Sequence, residues 1–237
     1  MISHREVLDH GYVRLLDVMG SDLTVVNAAR ASFAKRSSWE GDSPGNLRRS
    51  DQRLIEFLAK HGHMSPFRHV TLQFEVKAPL MVARQWWKYV VGGDHTMDGW
   101  NETSRRYVTG ALEFYRPEQW RTAAANRKQG SAGVADDHPA QLMDDMLARV
   151  LNLAVSYYEC ACELGIAPEQ ARLLLPMYGL YTSWYWTTSL QGLTHFLNQR
   201  LADDAQWEIQ QYARTVRNLL GNVWALQHSV KVLLKPS

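Results

Sequence analysis

Val70, Leu72, Phe74 and Val76 alternate with Thr71, Gln73, Glu75 and Lys77. A period of two sends successive side chains to opposite faces, so this run predicts a β-strand with one buried face. Tyr12–Val18 holds a shorter apolar run and is a second strand candidate. Elsewhere the period is helical. Ser21-Asp22 reads as a helix start, followed at helical spacing by Val25, Ala28, Ala29 and Phe33. Arg36–Ser50 is polar, carries Gly41, Pro44 and Gly45, and reads as a loop. Leu54, Ile55 and Leu58 share one face of a helix over Asp51–Lys60, with Gly62 placed to stop it. Pro79 ends the alternating strand and suits the start of a helix that runs over Met81–Val91. Gly92–Gly99 reads as a loop, and the polar, Ala- and Gly-rich stretch Thr122–Asp137 as a mobile surface excursion.

From Pro139 onward the pattern is helical almost without break. Leu142, Met146, Val150, Leu153 and Tyr157 recur at three- and four-residue steps. Pro168 opens a further helix that includes Arg172. Thr182–Arg200 is aromatic and apolar on several sides, which predicts a central helix. Trp207, Tyr212, Val216, Leu220 and Val223 mark a last long one. There is no internal repeat and no linker. The expected architecture is one α+β domain over residues 1–237, a small, mostly antiparallel sheet packed against a mostly helical body.

Composition narrows the partners. The chain has 237 residues, enough to bury a real core, and its apolar content of 46% is that of an ordinary globular protein. The formal charge is +2, so no field of one sign draws it to nucleic acid or to an anionic membrane, and an anionic ligand must be held by a local cluster. The two cysteines, Cys160 and Cys162, point to different faces of a helix and make no disulfide framework. The first residues lack the apolar run of a secretion signal, and no segment reaches transmembrane length. A cytoplasmic protein is expected.

Several common sites are absent. The chain has no G-x-G-x-x-G run, P-loop, H-E-x-x-H or G-x-S-x-G motif. His61, His63 and His69 lie close together, but no Cys or carboxylate has ligand spacing, so no metal is expected. What remains is a concentration of phosphate- and amide-recognising groups. Arg84, Gln85, Trp86, Trp87, Lys88 and Tyr89 lie on one predicted helix, and Asn101–Tyr107 follows a Gly-containing loop. Arg172 and Arg200 stand in otherwise apolar helices, where an arginine is costly unless paired or liganded. Gln85 and Lys88, three residues apart, can serve one pocket. Arginine offers a planar fork to a phosphate or base edge, and aromatic rings offer stacking surfaces. These residues suggest a nucleotide site. The alternative is that the arginines pair with nearby acids such as Glu102, Asp203 and Glu208.

The ordered set of motifs resembles the flavin-dependent thymidylate synthases over nearly the whole chain. The similarity lies in Asp17–Leu23 with Ala28–Phe33, His61-Gly62-His63 with Ser65-Pro66-Phe67, Val82–Trp86 and Asn101–Tyr107. It continues through Ala171-Arg172 with Leu175-Pro176, then Phe196–Arg200 with Ala205–Tyr212. The resemblance implies a homotetramer with active sites shared between subunits, bound FAD, and NADPH and methylenetetrahydrofolate as co-substrates. It implies that Gln85, Lys88, Glu102, Thr103, Ser104, Arg105, Arg106, Arg172 and Arg200 bind a uridylate. It also implies that Ser32, His63, Ser65, Lys88, Tyr89, Val90, Asn101, Ser189, Gln191 and His195 line the flavin site.

The departures fall on the flavin side. Where the family signature begins Arg-His-Arg, this chain has Lys88, Tyr89 and Val90. Lys keeps a charge but loses the bidentate fork, and Val90 keeps neither charge nor hydrogen bond. Ser189 and His195 stand where the family often has Asn, Gln191 where it often has Arg, and Asp204 where it often has His. The implied chemistry needs no cysteine nucleophile: Arg200 is the catalytic residue, stabilising charge on the uracil ring as N3 ionises. Three readings stand at this point. They are dUMP methylation, the same chemistry on UMP, and a nucleotide-binding homologue that has lost the flavin reaction.

Overall fold

The structure, a computed structural model, describes residues 3–41, 45–91, 98–104, 106, 111–125 and 130–235. A five-stranded antiparallel sheet forms its centre, in the order β1 (Ser3–Val7), β2 (Gly11–Met19), β3 (Thr71–Pro79), β7 (Tyr181–Ser189), β4 (Gly99–Glu102). The alternation read in the sequence is the sheet's two faces. Leu72, Phe74 and Val76 of β3 are fully buried, while Thr71, Gln73, Glu75 and Lys77 look outward. This confirms the α+β architecture and its antiparallel sheet.

The central helix expected over Thr182–Arg200 is instead two elements. Tyr181–Ser189 is the second central strand, and only Leu190–Arg200 is helical (α6). Trp184 and Trp186 face inward and pair in register with Val76 and Phe74, while Ser183, Tyr185 and Thr187 alternate on the other face. Threonines and aromatics fit a pleated surface, and here tertiary pairing decided between two periods that an aromatic-rich run leaves close. Ser189 ends the strand and caps the helix, its Oγ accepting from Gly192 N at 3.1 Å. So the stretch after Pro139 is not continuously helical.

The remaining helices are α1 (Asp22–Arg30), α2 (Arg49–Lys60), α3 (Leu80–Val91), α4 (Asp137–Glu163), α5 (Pro168–Ala171), α7 (Trp207–Leu220) and α8 (Gln227–Leu233). The Ser21 cap holds as expected, with a reciprocal Thr24 bond. Phe33, expected on the buried face of α1, sits in a 3₁₀ turn beyond it and is 75% exposed. Gly62 has φ +68°, the left-handed geometry that stops α2 cheaply. Helix α5 is one turn, and Arg172 begins a 3₁₀ segment after it.

Helices α3, α6 and α7 pack together on the inner face of the sheet. Trp86 of α3 is fully buried, stacked on Phe196 of α6 at 4.4 Å and edge-on to Trp184, Trp186 and Tyr212. Trp86, Trp184 and Trp186 are therefore core residues, whereas Trp87 and Tyr185 reach the surface. Helix α4 stands apart, over a second, smaller core formed with Phe114, Ala171, Leu175 and Leu180. Its sequence stripe, Leu142, Met146, Val150, Leu153 and Tyr157, faces outward and is about half exposed at each position, while Leu151, Ala154 and Tyr158 face in.

Two predicted loops also differ. Gly99 is not loop but the first residue of edge strand β4; residues 92–97 lie outside the described residues. The excursion expected over Thr122–Asp137 overlaps a small antiparallel hairpin, β5 (Arg121–Ala123) and β6 (Ser131–Val134), and its last residue already belongs to α4. Residues 126–129 lie outside the described residues.

Candidate active site

A cavity of about 830 Å³ opens between α3, the end of α6, the start of α7 and the β5–β6 hairpin. Gln85 and Lys88 reach it from α3, Arg200 from the last residue of α6, and Gln206, Trp207 and Glu208 from the start of α7. Arg121, Gly130 and Ser131 of the hairpin segment close the far wall, with Tyr115 and Leu147. The i, i+3 spacing of Gln85 and Lys88 thus puts both on one ligand-facing wall, as the sequence suggested.

Arg200 is the distinctive group. Its guanidinium lies 5.1 Å from the centre of the Tyr89 ring, and its Nε is buried without a hydrogen-bond partner among the described residues. A buried, unmet cationic donor costs free energy unless a ligand meets it. Tyr89 packs edge-on to Phe196 at 5.3 Å and beside His195 at 5.7 Å. Burial raises the Tyr89 hydroxyl above its ordinary range, and the Arg200 charge only partly opposes that, so the phenol is neutral near pH 7.

The pairing of arginines with acids occurs, but on a residue the sequence reading passed over. Arg121 Nη1 lies 3.6 Å from Glu208 Oε1, and the Arg121 guanidinium lies 3.8 Å from the centre of the Trp207 ring. Tyr115 donates to the same Glu208 oxygen at 3.4 Å. Gln206 donates to Glu208 Oε2 at 2.8 Å and accepts from Gln85 Nε2. Gln206, Trp207 and Glu208 stood in the resemblance as a motif without a role. Arg121 immediately precedes the stretch read as a surface excursion, and no local signal marked it.

The other expected nucleotide ligands among the described residues do not line the cavity. Glu102, on edge strand β4, accepts from Thr182 Oγ1 at 3.0 Å and from Trp100 Nε1 at 3.4 Å. Thr103 N bonds Ser183 O at 2.8 Å. Ser104 Oγ accepts from Arg106 Nε at 3.1 Å. Arg172 Nε donates to Glu169 O at 3.1 Å. Arg105 lies outside the described residues.

The residues expected at the flavin rim are spread over separate elements. Ser32, His63, Ser65, Asn101 and His195 are exposed, and Val90 is half-buried against the main core. His63 lies edge-on to Phe57 at 5.9 Å. Gln191 is half-buried and accepts from Arg68 Nε at 2.7 Å. Arg68 is a cation that the sequence reading missed. It makes no ion pair among the described residues and sits in the same 3₁₀ segment as Ser65. Among the described residues no cluster of His, Cys, Asp and Glu could hold a metal, and no helix is long and apolar enough to cross a membrane.

Residues 14–224 match the family model described as thymidylate synthase complementing protein. A flavin-dependent thymidylate synthase of Thermus thermophilus is 42% identical over 214 residues, 90% of this chain and 73% of the relative. Another, of Thermotoga neapolitana, is 38% identical over 97% of this chain and 95% of its own length. Among solved structures, the UMP/dUMP methylase PolB of Streptomyces cacaoi bound with 5-Br dUMP is 28% identical, covers 96% of each chain and superposes with a TM-score of 0.77. The same methylase with 5-Br UMP gives a TM-score of 0.78 at 26% identity, covering 98% of this chain and 99% of that one.

Proposed function

This chain belongs to the thymidylate synthase complementing protein family, the flavin-dependent thymidylate synthases, and on that premise we propose that it methylates C5 of a uridylate, dUMP or UMP. Methylenetetrahydrofolate supplies the carbon, and a bound FAD, reduced by NADPH, supplies the hydride. The observation that carries this reading is the buried, unpartnered Arg200 Nε on the wall of a nucleotide-sized cavity.

Arg200 is the catalytic residue. Its fixed charge stabilises the negative charge that spreads over the uracil ring when N3 loses its proton, and so makes C5 nucleophilic. Neutral Tyr89 packs beside Arg200 without competing for its charge. Lys88 brings a second cation to the same cavity, and Gln85 an amide. No covalent thiol is needed: Cys160 and Cys162 lie on α4, away from the cavity lining.

The rim fits a flavin dinucleotide. Arg68, fixed by Gln191 and free of carboxylates among the described residues, is suited to a diphosphate, which compensates for the loss of charge at Val90. His63, Ser65, His195 and Asn101 add exposed polar groups around it. Ser189 is the weakest of the expected ligands, because its hydroxyl already caps α6.

The active site is shared in a homo-oligomer, a homotetramer. Two features support this. Glu102–Ser104, Arg106 and Arg172 stand off the cavity that Gln85, Lys88 and Arg200 line, so a second copy can bring them to it. The outward apolar stripe of α4 is the kind of contiguous surface that subunit contact covers. A UMP substrate is the second reading, favoured by the likeness to a methylase that takes both nucleotides.

The test is tritium release from C5-labelled dUMP and UMP by the purified flavoprotein with folate and NADPH. Release from either supports the reading, and the faster one names the substrate. Visible flavin absorption without release from either nucleotide would leave only a nucleotide-binding homologue.

A further inference from the structure

A glutamine side chain is ambiguous to a ligand: its oxygen accepts and its nitrogen donates. Which end of Gln85 faces the cavity decides what a ligand must offer there, and the neighbours of Gln85 settle the choice. Glu208, beside the Arg121 guanidinium and the Tyr115 hydroxyl, carries a carboxylate that can only accept. Gln206 must therefore turn its nitrogen toward it, and Gln206 Nε2 lies 2.8 Å from Glu208 Oε2. That leaves Gln206 Oε1 as an acceptor, which Gln85 can meet only with Nε2. The same Gln85 nitrogen lies 3.4 Å from the Met81 carbonyl, a second acceptor on its own helix. Both amide hydrogens of Gln85 are then occupied by protein, and its oxygen is left for the cavity that Gln85 lines. The chain of hydrogen bonds has one direction because the carboxylate at its end has no proton to give.

We propose that Glu208 is a positioning residue that, through Gln206, locks the Gln85 amide with its oxygen toward the ligand, so that the site selects a uridylate by a hydrogen-bond donor. This rests on the uridylate reading above. Together with Arg200 it gives the cavity one strong donor and one oriented acceptor. A uridylate has two sources for the matching donor: the ring N3–H, or the sugar hydroxyls.

The experiment compares dissociation constants on the flavin-bound enzyme, by calorimetry, for two ligand pairs. In dCMP against dUMP the ring N3–H donor becomes an acceptor and the neighbouring C4 carbonyl becomes an amino donor, at nearly constant shape. In 2′,3′-dideoxy-UMP against UMP the sugar donors are removed. Glu208→Gln puts a possible donor at the end of the chain and lets both amides invert, and Gln206→Leu cuts the chain without burying a charge. Arg121→Met removes the ion-pair partner of Glu208 but leaves its carboxylate. The expected result is that one of the two ratios narrows by about tenfold in Glu208→Gln and in Gln206→Leu, and stays near the wild-type value in Arg121→Met. Narrowing of the dCMP ratio assigns the N3/C4 edge of the base, and narrowing of the dideoxy ratio assigns a sugar hydroxyl. A ratio within one variant does not depend on the fraction of protein that folds, and either relay variant alone is sufficient. Both ratios unchanged within about twofold in the relay variants, or the same narrowing in Arg121→Met, overturns the proposal while leaving the uridylate reading intact. Wild-type protein that binds neither dUMP nor UMP overturns the uridylate reading and this proposal with it.

Discussion

The nucleotide wall and the flavin rim are built differently. On the wall, side chains from α3, the start of α7 and the segment leading into β5 interlock: Gln85 with Gln206, Gln206 with Glu208, Glu208 with Tyr115 and Arg121, Arg121 over Trp207. The rim residues His63, Ser65, Asn101 and His195 stand exposed on separate elements, and the fixed contact there is Arg68 with Gln191. A wall whose side chains one chain already ties together can be rigid before any ligand arrives, even where another copy adds further groups to it. A rim left open by one chain takes its shape from the cofactor and from other copies. Of the family departures, Lys88 and Tyr89 belong to the wall, and Val90, Ser189, Gln191 and His195 to the rim.

Four measurements would break or sharpen this contrast. The largest effect is expected on the wall. Arg200→Ala should lower turnover by about two to three orders of magnitude, equivalent to about 3–4 kcal/mol of lost charge stabilisation, with flavin still bound. Single-turnover kinetics read this directly, and a loss below tenfold would remove Arg200 from the chemistry.

Next comes the dependence of the site on other copies. Val150→Glu with Leu153→Glu places two charges on the outward stripe of α4, at positions that are not part of the cavity lining. Light scattering should show dissociation to monomers, with turnover down by about a hundredfold, since a charge buried unpaired at an interface costs about 3–5 kcal/mol. An unchanged mass would mean that α4 is not the contact.

A smaller loss is expected on the rim. Arg68→Ala should weaken flavin binding by about tenfold, the value of one charge-assisted contact, and leave nucleotide affinity within about twofold. Flavin titration followed by fluorescence separates the two. Equal losses in both would erase the distinction between wall and rim.

The smallest effect is electrostatic and lies at high pH. Burial pushes Tyr89 and Tyr115 of the wall up; at Tyr115 Glu208 adds to the rise and Arg121 opposes it. Each is protonated in the fold and ionises more easily once unfolded. Their contribution is therefore complete below the unfolded value of about 10 and is lost as pH rises through the folded values. The melting temperature should be level up to about pH 9 and fall above about pH 10, less steeply in Tyr115→Phe. A flat profile to about pH 11 would contradict the burial of these hydroxyls.

The alternation of Val70–Lys77 and the Ser21 cap were legible because a two-residue period and a capping residue act over a few positions. The motifs that mark the family were legible for the same reason, as was the pairing of Gln85 with Lys88 one helical turn apart. The strand at Tyr181–Ser189 was not, since an aromatic run buried among helices and strands satisfies both periods, and only its register against β3 chose between them. Nor was the outward face of the α4 stripe: amphipathic spacing gives a helix an apolar side but not the neighbour that covers it.

Sequence alone thus determined the alternating strand and most of the helices, the family, and the kinds of side chain available for a uridylate. The tertiary structure decided which of them meet. Gln85, the pair Tyr115 and Arg121, and the pair Gln206 and Glu208 come from three separate parts of the chain, and the contacts between them exist only once α7 and the hairpin close over α3. The physical reason is range: periodicity and capping are local, whereas the direction of a hydrogen-bond chain, and the burial that leaves Arg200 Nε unmet among the described residues, depend on contacts that no stretch of sequence encodes by itself.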